Sequence, residues 1–495
     1  MSKNKHQRGS VLIYILTIAS IGVTILLGLI VFINSQHKAS RHASNREQAF
    51  QIAESGIYWY RWYLAHEVEG KTVKQKREFW ESGDALGVAA PYEDELKDPE
   101  GNPLGKYSIE VDAPDPDSTI VIVKSTGWTY RFPGKKRTIQ VRFRQPAWCE
   151  YAVLADCDMR FGEGTETFGR IHSNHGIRFD GLAHNIVSSA VPQYDDPDHG
   201  GGEEFGVHTH VPPVDPLPPN PIPSRPDVFE AGREFPVSDK DFNSLVADLN
   251  LMKEEAESDG LYLGQATTTV TKCGWVWKGW WVGFVWECND VEEPVKGYHI
   301  VLKNNHTMDI SMVTDYGFND YRIIDETSPI TYNNPSNGIV FAENHVWVEG
   351  VIDEDHLTIA AADLSESPVY KSIYINNDIV YTNHDGRDIL GLIAQDDISV
   401  GLYSEDDLEI DAALLAQNGR VGRNHYWSSW PPGYVHRDTI TVFGSIVTKE
   451  RYGFAWTDGT GYNTRNLYFD NNLIYWPPPF FPTGDQYKID LWEEL

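Results

Sequence analysis

The sequence predicts a long amino-terminal α-helix, first transmembrane and then amphipathic, followed by a mainly-β ectodomain. In that ectodomain, parallel β-solenoid-like rungs are expected beside a small antiparallel sheet. Three observations predict this fold class. Residues 10–33 are uncharged, residues 39–64 place apolar side chains at helical spacing, and short apolar runs separated by turn residues recur through the rest of the chain. Such short runs are typical of β-strands bounded by tight turns.

The uncharged run is long enough to cross a membrane. A helix over residues 10–33 spans about 36 Å, and the hydrocarbon core of a bilayer is about 30 Å thick. Lys3, Lys5 and Arg8 precede the run, and positively charged flanks stay on the cytoplasmic side. The run is longer than the apolar part of a cleaved secretory signal. We therefore expect a single-pass protein of the cell membrane whose amino terminus is cytoplasmic before processing.

The helix is expected to continue beyond the membrane. Residues 39–64 contain no proline, and their apolar side chains fall mostly at steps of three and four, which is the spacing of one helical face. These apolar positions are Ala43, Phe50, Ala53, Ile57, Tyr60 and Leu64. A single long helix is not stable in water by propensity alone. The pattern therefore predicts a partner surface, supplied by the chain's own ectodomain, by other helices, or by both.

Two stretches of this helix resemble a known family. Arg8, Gly9 and Ser10, followed by the apolar run, resemble the class III leader of type IV pilins. Residues 46–57 resemble a stretch of the PilX-type minor pilins, and the matching positions are Ala49, Phe50, Ala53, Glu54 and Gly56. The resemblance covers residues 1–65, and the combination of the two motifs is more specific than either alone.

The resemblance implies how the chain is processed and assembled. A prepilin peptidase would cut between Gly9 and Ser10 and N-methylate Ser10. The mature helix would then pack beside the helices of other pilins or pseudopilins, in an extracellular pilus or at the cell surface. Most major pilins have Glu where this chain has Tyr14, and PilX-type and tip-located pseudopilins tend to lack that acid. The resemblance therefore favours the distal tip of the filament.

Two physical arguments also favour the tip. A buried carboxylate among membrane helices is costly unless it is paired with a cation. A subunit without that acid offers no charge to the terminal ammonium of a neighbour, and a tip subunit has no neighbour above it to satisfy. The ectodomain that follows the helix is also far larger than a repeating headpiece could easily pack. Residues 444–482 near the carboxyl end are similar to the closing segment of large PilX-like proteins, and Arg465 and Asp470 within them could pair.

Composition limits the partners of the chain. Lys and Arg number 41 against 72 Asp and Glu, which gives a net charge of −31. Binding to nucleic acid needs a basic surface, so no nucleic-acid partner is expected. Aromatic residues make up 12% of the chain and include 16 Trp. They predict a β-rich core with stacked rings or, alternatively, an exposed aromatic surface for a glycan or protein ligand.

The four cysteines follow the membrane helix, in a compartment where disulfides form. Sequence proximity favours the pairs Cys149–Cys157 and Cys273–Cys288, although four cysteines allow three pairings. The tryptophan-rich residues 274–286 lie between the second pair and predict a hairpin closed at its base by the bridge. Zinc is the competing interpretation of these cysteines, but no CxxC pair and no nearby His supports it. No metal site is predicted from them.

Parallel rungs are predicted from the spacing of the apolar runs. The units that begin at Ser372, Leu392 and Leu414 follow one another at steps of about 20 residues, which suits a solenoid whose rungs bury their faces only by stacking. A β-sandwich with coincidental strand spacing is the alternative.

The pattern divides the chain into successive segments. Residues 1–9 form the leader, 10–66 the pilin-like helix, and 67–147 a small β headpiece region. The remaining segments are the first solenoid-like rungs (148–210), a Pro-rich linker with a flanking helix that starts at Ser238 (211–260), a tryptophan-rich hairpin insertion (261–334), the main solenoid-like rungs (335–450) and an aromatic, Pro-rich carboxyl-terminal segment (451–495).

No enzymatic activity is predicted. Asp378, Asp396 and Asp397 loosely resemble the carboxylates of polygalacturonases, but the Gly-His-Gly and Arg-x-Lys elements of that family are missing. Calcium is the one cofactor that the sequence leaves open, because several acidic turns offer oxygen ligands. The candidate ligands are Asp406, Asp407, Glu409 and Asp411, which do not fit the twelve-residue loop with its closing Glu.

We therefore expect a minor, tip-located or initiating type IV pilus or pseudopilus subunit with a structural role in assembly and a role in surface adhesion. The first alternative is a signal-anchored cell-surface adhesin, in which substitution of Gly9 changes little. A more distant alternative is a membrane-anchored β-solenoid polysaccharide hydrolase.

Overall fold

The computed structural model of the chain describes residues 7–68, 71, 73–115, 118–242, 248–427, 430–484 and 486–495, with the side chains of residues 7–10 and 73 left aside. The chain divides into two compact units. Unit 1 comprises Met1–Pro114, Ile120–Arg144 and Tyr487–Leu495, and unit 2 comprises Asp115–Thr119 and Gln145–Gln486. The predicted class, a long apolar helix followed by a mainly-β ectodomain with parallel and antiparallel sheets, is confirmed.

Unit 1 contains the long helix, a short helix and an antiparallel sheet. The helices are Gln7–Val68 and Val73–Glu81. The strands, in spatial order, are Tyr92–Lys97, Pro103–Asp112, Ile120–Thr129, Arg137–Arg144 and Lys488–Glu494.

The second half of the long helix packs on this sheet. Ile57, Tyr60 and Leu64 lie on the buried helical face and contact alternate strand residues such as Val123 and Val141. Every second residue of the strands and one face of the helix are thus buried together in one apolar core. Burying each such side chain contributes about 1.5–3 kcal/mol to the free energy of unfolding.

The last strand of unit 1 differs from the expectation. Residues 451–495 are predicted to form a carboxyl-terminal segment of their own, but Lys488–Glu494 pairs with Arg137–Arg144 at the edge of the unit 1 sheet. Tyr487 completes the attachment, because it is buried in the unit 1 core and its hydroxyl accepts a hydrogen bond from Trp80 Nε1 at 3.2 Å. Pairing across so many intervening residues leaves no local pattern in the sequence.

Unit 2 is built around parallel strands stacked in columns. One column runs through short strands in this spatial order: Leu261–Leu263, Ile339–Ala342, His356–Ala361, Ile389–Ala394, Asp407–Ala416, His436–Thr448, Val153–Ala155, Ile171–Ser173, Val187–Ser189 and Arg233–Glu234. Corresponding residues of successive strands lie opposite one another, as Ile359, Leu392 and Leu414 do. All three are fully buried, so each strand covers the apolar face of the next.

Further parallel columns complete the stack. One contains Gly297–Lys303, His345–Ile352, Ile373–Ile375, Ile398–Val400 and Val421–Arg423. Another contains Met159–Phe161, Ile177–Phe179 and Val207–His208. A third continues from His345–Ile352 through Ile379–Tyr381, Asp407–Ala416, His436–Thr448, Gly461–Phe469, Thr165–Phe168 and Leu182–Ala183.

The order of the strands in space differs from their order in the chain. Val153–Ala155, from the first rung-like region, lies directly on His436–Thr448, from the end of the second. The two rung-like regions of the sequence are therefore one continuous stack. In the sequence, the helix Leu249–Ser258 lies between its two outermost strands, Arg233–Glu234 and Leu261–Leu263, and the Pro-rich residues 212–226 come before Arg233–Glu234.

Antiparallel strand pairs and short helices are attached to the parallel stack. The antiparallel strands are Gln193–Tyr194 with Glu204–Phe205, Thr267–Trp277 with Phe284–Pro294, and Thr307–Tyr316 with Gly297–Lys303, Ile323–Glu326 and Ile330–Asn333. The remaining short helices are Trp148–Glu150, Pro432–Val435 and Asn471–Ile474.

Three sequence-based expectations for unit 2 are wrong in detail. The strand after Ser372 lies opposite Ile398–Val400 in another column rather than in one column with Leu392. The flanking helix begins at Leu249 with Asp248 as its amino-terminal cap, and Ser238 lies in extended chain before it. Arg465 does not pair with Asp470: its guanidinium donates to backbone carbonyls and Thr165, while Asp470 caps a short helix.

Candidate functional site

The first half of the long helix exposes an apolar surface. From Val11 to Ile33 its large apolar side chains, including Tyr14, are exposed, and it is the one helix among the described residues that is long and apolar enough to cross a membrane. The hydroxyls of its threonines are satisfied within the helix, since Thr17 and Thr24 Oγ1 donate to carbonyls one turn earlier at 2.8 Å. Satisfying these groups and the backbone internally suits the segment to a bilayer.

The expected processing site lies at the start of this helix. Arg8, Gly9 and Ser10 are helical, but their side chains and all of residues 1–6 lie outside the described part of the chain. The predicted cleavage between Gly9 and Ser10 therefore stays a prediction.

The pilin-like motif in the second half of the helix is a packing site. Ala49, Ala53 and Gly56 are buried, and the sheet approaches them closely at Gly127. A Cβ added to Gly127 would lie 2.4 Å from both Ala49 O and Ala53 N. Small residues on both sides thus bring helix and sheet backbones together. Phe50 and Glu54, the other two motif positions, are half-buried at the edge of this contact.

The tryptophan-rich hairpin is an exposed aromatic surface. The strands Thr267–Trp277 and Phe284–Pro294 are joined by the predicted disulfide between Cys273 and Cys288, which face each other across the hairpin. Large aromatic side chains near the tip are all exposed: Trp275, Trp277, Trp280, Trp281, Phe284 and Trp286. Trp280 keeps 93% of its surface exposed, so of the two arrangements that the sequence left open for the aromatic residues, this hairpin has the exposed surface.

The rings of the hairpin contact one another rather than a core. Trp275 and Trp286 form an edge-to-face pair with centroids 5.5 Å apart, and Trp277 and Phe284 form another at 5.0 Å. Lys278 and Glu287 form an ion pair at 2.8 Å beside them. Exposed aromatic clusters of this kind mark interaction surfaces.

The predicted Cys149–Cys157 disulfide is wrong: both residues are thiols. The strand Val153–Ala155 runs between them and carries their side chains to different partners. Cys149 Sγ lies 3.9 Å from Leu473 O, and Cys157 Sγ lies 3.6 Å from Met159 Sδ. Burial raises the pKa of Cys157 to about 12, so this thiol is inert near neutral pH.

The acidic residues proposed as calcium ligands do not share one arrangement. Asp411 and Glu409 converge with His384, which the sequence analysis did not consider, and the ligand atoms of these three lie within 4.8 Å of one another. Asp406 pairs instead with Arg437 at 3.5 Å, and Asp407 is exposed. Burial raises the pKa of Asp411 to about 6, although its hydrogen bonds to Tyr381 N–H and His384 oppose the shift.

The carboxylates that loosely resemble a hydrolase site have roles in turns. Asp397 Oδ1 accepts a hydrogen bond from Arg420 N–H at 2.8 Å, and Asp378 Oδ1 accepts one from Glu409 N–H at 2.9 Å. Burial and the neighbouring Asp397 raise the pKa of Asp396.

A second histidine–carboxylate group escaped the sequence analysis altogether. Asp196, His199, Glu204, His208 and His210 converge at the short strands Gln193–Tyr194, Glu204–Phe205 and Val207–His208. The signal was present as the alternation of His208 and His210, which places both on one face of an extended chain. It was missed because zinc was considered only for the cysteines.

Comparisons with known proteins find similarity among solved structures. No protein-family model and no curated protein sequence matches the chain. Among solved structures, the crystal structure of the competence-associated pilin ComZ from Thermus thermophilus is similar, with 13% sequence identity and a TM-score of 0.31, over 91% of this chain and 97% of that one.

Proposed function

We propose that the chain is a type IV pilin-like subunit, minor and located at the filament tip, that initiates or caps assembly and presents its β-rich ectodomain for adhesion. The observation that carries the proposal is the division of one helix into two functional halves. Large apolar side chains between Val11 and Ile33 are exposed, whereas residues 45–68 bury one face on the chain's own sheet.

The exposed half needs an apolar environment. At about 25 cal/mol per Å², an apolar helix surface exposed to water carries a large free-energy cost. A bilayer removes that cost before assembly, and neighbouring pilin helices would remove it in a filament. Tyr14, in place of the acid usual in major pilins, offers no charge to the ammonium of a neighbouring subunit, which supports the tip position.

Processing by a prepilin peptidase is the direct test. In native cells we expect the mature chain to begin at N-methylated Ser10, and Gly9→Leu to retain residues 1–9 and fail to enter filaments. Gly28→Ala is the matched control, because a Cβ at Gly28 meets nothing within 4 Å and the residue lies away from the cleavage site. Mass spectrometry of the amino-terminal peptide gives the readout. Native protein that begins at Met1 would support the signal-anchored adhesin instead.

The tip position needs a separate measurement. Immunogold labelling of the ectodomain on purified filaments should place label at one end only. Labelling along the whole length would contradict a tip role while leaving the pilin assignment in place.

The exposed hairpin supports the adhesive part of the proposal. Trp280→Ala with Trp281→Ala should abolish binding of the full-length protein to glycan or protein surfaces without lowering its thermal stability, since both rings lie outside any core. Tyr130→Ala, another exposed aromatic residue, is the control. Hydrolysis of oligogalacturonides that is lost in Asp396→Asn with Asp397→Asn would instead favour the hydrolase alternative.

A further inference from the structure

We propose that Glu204 and three histidines, His199, His208 and His210, with Asp196 beside them, bind one divalent transition-metal ion, zinc by preference. The ligand atoms of His199, Glu204 and His210 lie within 4.8 Å of one another, as do those of Asp196, His208 and His210. His210 belongs to both groups, so the two groups lie side by side.

Two of the three distances between the ligand atoms are longer than a direct hydrogen bond. Glu204 Oε1 lies 3.0 Å from His199 Nδ1 and 3.5 Å from His210 Nε2. His208 Nε2 lies 3.5 Å from Asp196 Oδ2. Four ligands about 2.1 Å from a tetrahedral zinc ion lie about 3.4 Å from one another. The observed separations therefore leave room for an ion between the atoms.

Polar atoms in this group are buried without hydrogen-bond partners among the described residues. They are Asp196 Oδ2, His199 Nδ1, Glu204 Oε2, His208 Nδ1 and Nε2, and His210 Nε2. The side chains of Asp196 and Glu204 are only 2% exposed and that of His208 is fully buried. Buried polar atoms are normally satisfied, and orphan atoms on side chains gathered around His210 indicate a missing ligand.

The ligand chemistry selects the metal. Imidazole and carboxylate ligands suit zinc and its transition-metal neighbours, whereas calcium prefers six to eight oxygen ligands. The positive charge of Arg178 near the site is neutralised by carboxylates, because Arg178 pairs with Asp180 at 2.7 Å and with Asp196 at 3.6 Å. We assign His199, Glu204 and His210 as three ligands and the His208–Asp196 pair as the source of the fourth.

The ion would cross-link the connection between Gln193–Tyr194 and Glu204–Phe205 to the parallel stack. Asp196 and His199 lie in the connection between Gln193–Tyr194 and Glu204–Phe205, while His208 ends a strand of a parallel column. One ion would therefore cross-link the loop to the strands that follow it. His199 is 40% exposed at its side chain, which leaves a path for the metal to enter.

The test uses full-length protein in detergent, stripped with a chelator and titrated with zinc chloride. We expect one zinc per chain by elemental analysis and a higher melting temperature after loading. Cobalt(II) should give the intense visible bands of tetrahedral coordination, without the sulfur charge-transfer band that Cys149 or Cys157 would add. Calcium at the same concentration should change neither quantity.

Three variants separate this site from its alternatives. His199→Gln changes the most exposed ligand, so the protein should fold, and zinc affinity should fall at least tenfold. His210→Gln should lose binding altogether. His384→Gln, in the other histidine–carboxylate group, is the matched control and should bind one zinc with unchanged affinity. Unchanged stoichiometry and affinity in both His199→Gln and His210→Gln, or no zinc bound to the wild-type chain, would overturn the proposal.

Discussion

The two units of the chain bury very different kinds of side chain. Among the described residues of unit 1, the buried polar side chains are Asn45, Ser125 and Thr129, and none of them is charged. Unit 2 buries charged or titratable side chains throughout its parallel stack. They include Asp196, Glu204, His208, Asp215, Arg225, Asp363, Asp388, Asp411, Arg423, Arg465 and Asp470.

The difference shows that the two units depend on different physical terms. Unit 1 is held by a close apolar contact between helix and sheet, so its stability should respond to side-chain volume and little to pH. In unit 2, tight turns between stacked strands leave carbonyls and N–H groups that charged side chains satisfy. Its stability should therefore respond to the loss of single polar partners and to protonation.

The largest effect is expected at Arg423, whose side chain is fully buried and is held by backbone carbonyls and a hydroxyl. Its guanidinium donates to Gly401 O, to Ser404 Oγ at 2.7 Å and to Tyr434 O at 2.7 Å. Arg423→Met removes the donors and leaves these acceptors buried; since each unsatisfied buried acceptor costs about 1–3 kcal/mol, unit 2 should lose about 3–5 kcal/mol.

Hydrogen exchange on the full chain in detergent micelles measures each unit separately. The control is Arg387→Met, which removes a half-exposed guanidinium from the same unit and should cost below about 1 kcal/mol. Equal effects of the two substitutions would show that the buried arginine has no special role.

The next largest effect is expected at Gly127, where the sheet meets the helix in unit 1. A Cβ there would collide with backbone atoms of Ala49 and Ala53, which cannot rotate away. Gly127→Ala should therefore destabilise unit 1 by about 2–3 kcal/mol and leave exchange in unit 2 unchanged. Gly134→Ala is the control, since nothing lies within 4 Å of its added Cβ. A tolerated Gly127→Ala would mean that helix and sheet are not in close contact.

The sequence predicted the elements whose signals are local. The long helix, the small antiparallel sheet within residues 67–147 and the Cys273–Cys288 hairpin follow from periodicity and from short spacings. In the stack, the pairing of Leu392 with Leu414 also follows from spacing.

What could not be predicted depends on contacts between distant residues. The placement of Lys488–Glu494 beside Arg137–Arg144 and of Val153–Ala155 on His436–Thr448 leaves no periodic trace in either partner. For the same reason, the partners of Cys149 and Arg465 were assigned to sequence neighbours although the structure supplies other ones.

A third test uses pH to separate the units. Burial, followed by the nearby charge of Lys371, lowers the pKa of His345 in unit 2 to about 4, and its Nδ1 accepts a hydrogen bond from Ser372 N–H at 3.0 Å. Because the folded-state pKa lies below the ordinary value of 6.5, this residue's stabilising contribution is complete above pH 6.5 and is lost as the pH falls towards 4. The lowered pKa of His345 should therefore reduce the free energy of unfolding of unit 2 by up to about 2 kcal/mol when the pH falls from 7 to 5.

His345→Gln keeps an acceptor for Ser372 N–H and removes the titration, so unit 2 should lose less stability over that pH range in the variant. Exchange in unit 1, corrected for intrinsic rates, should change less than exchange in unit 2. Identical pH profiles for wild type and His345→Gln would show that the buried imidazole does not contribute.

The smallest effect is expected when two glycines of the long helix are each replaced by alanine and the two variants are compared. Alanine is favoured over glycine in a helix by about 1 kcal/mol, and at Gly22 an added Cβ meets nothing within 4 Å. At Gly56 the same methyl group would lie 2.4 Å from Ser125 Oγ and 2.9 Å from the Tyr107 ring, both of which are side-chain atoms that can move. Gly56→Ala should therefore destabilise unit 1 by about 1 kcal/mol or less, because relaxation and helix propensity offset much of the clash, while Gly22→Ala should not destabilise unit 1. If Gly56→Ala instead costs as much as Gly127→Ala, the side chains around Gly56 are as rigid as the backbone, and the close contact extends along the whole buried half of the helix.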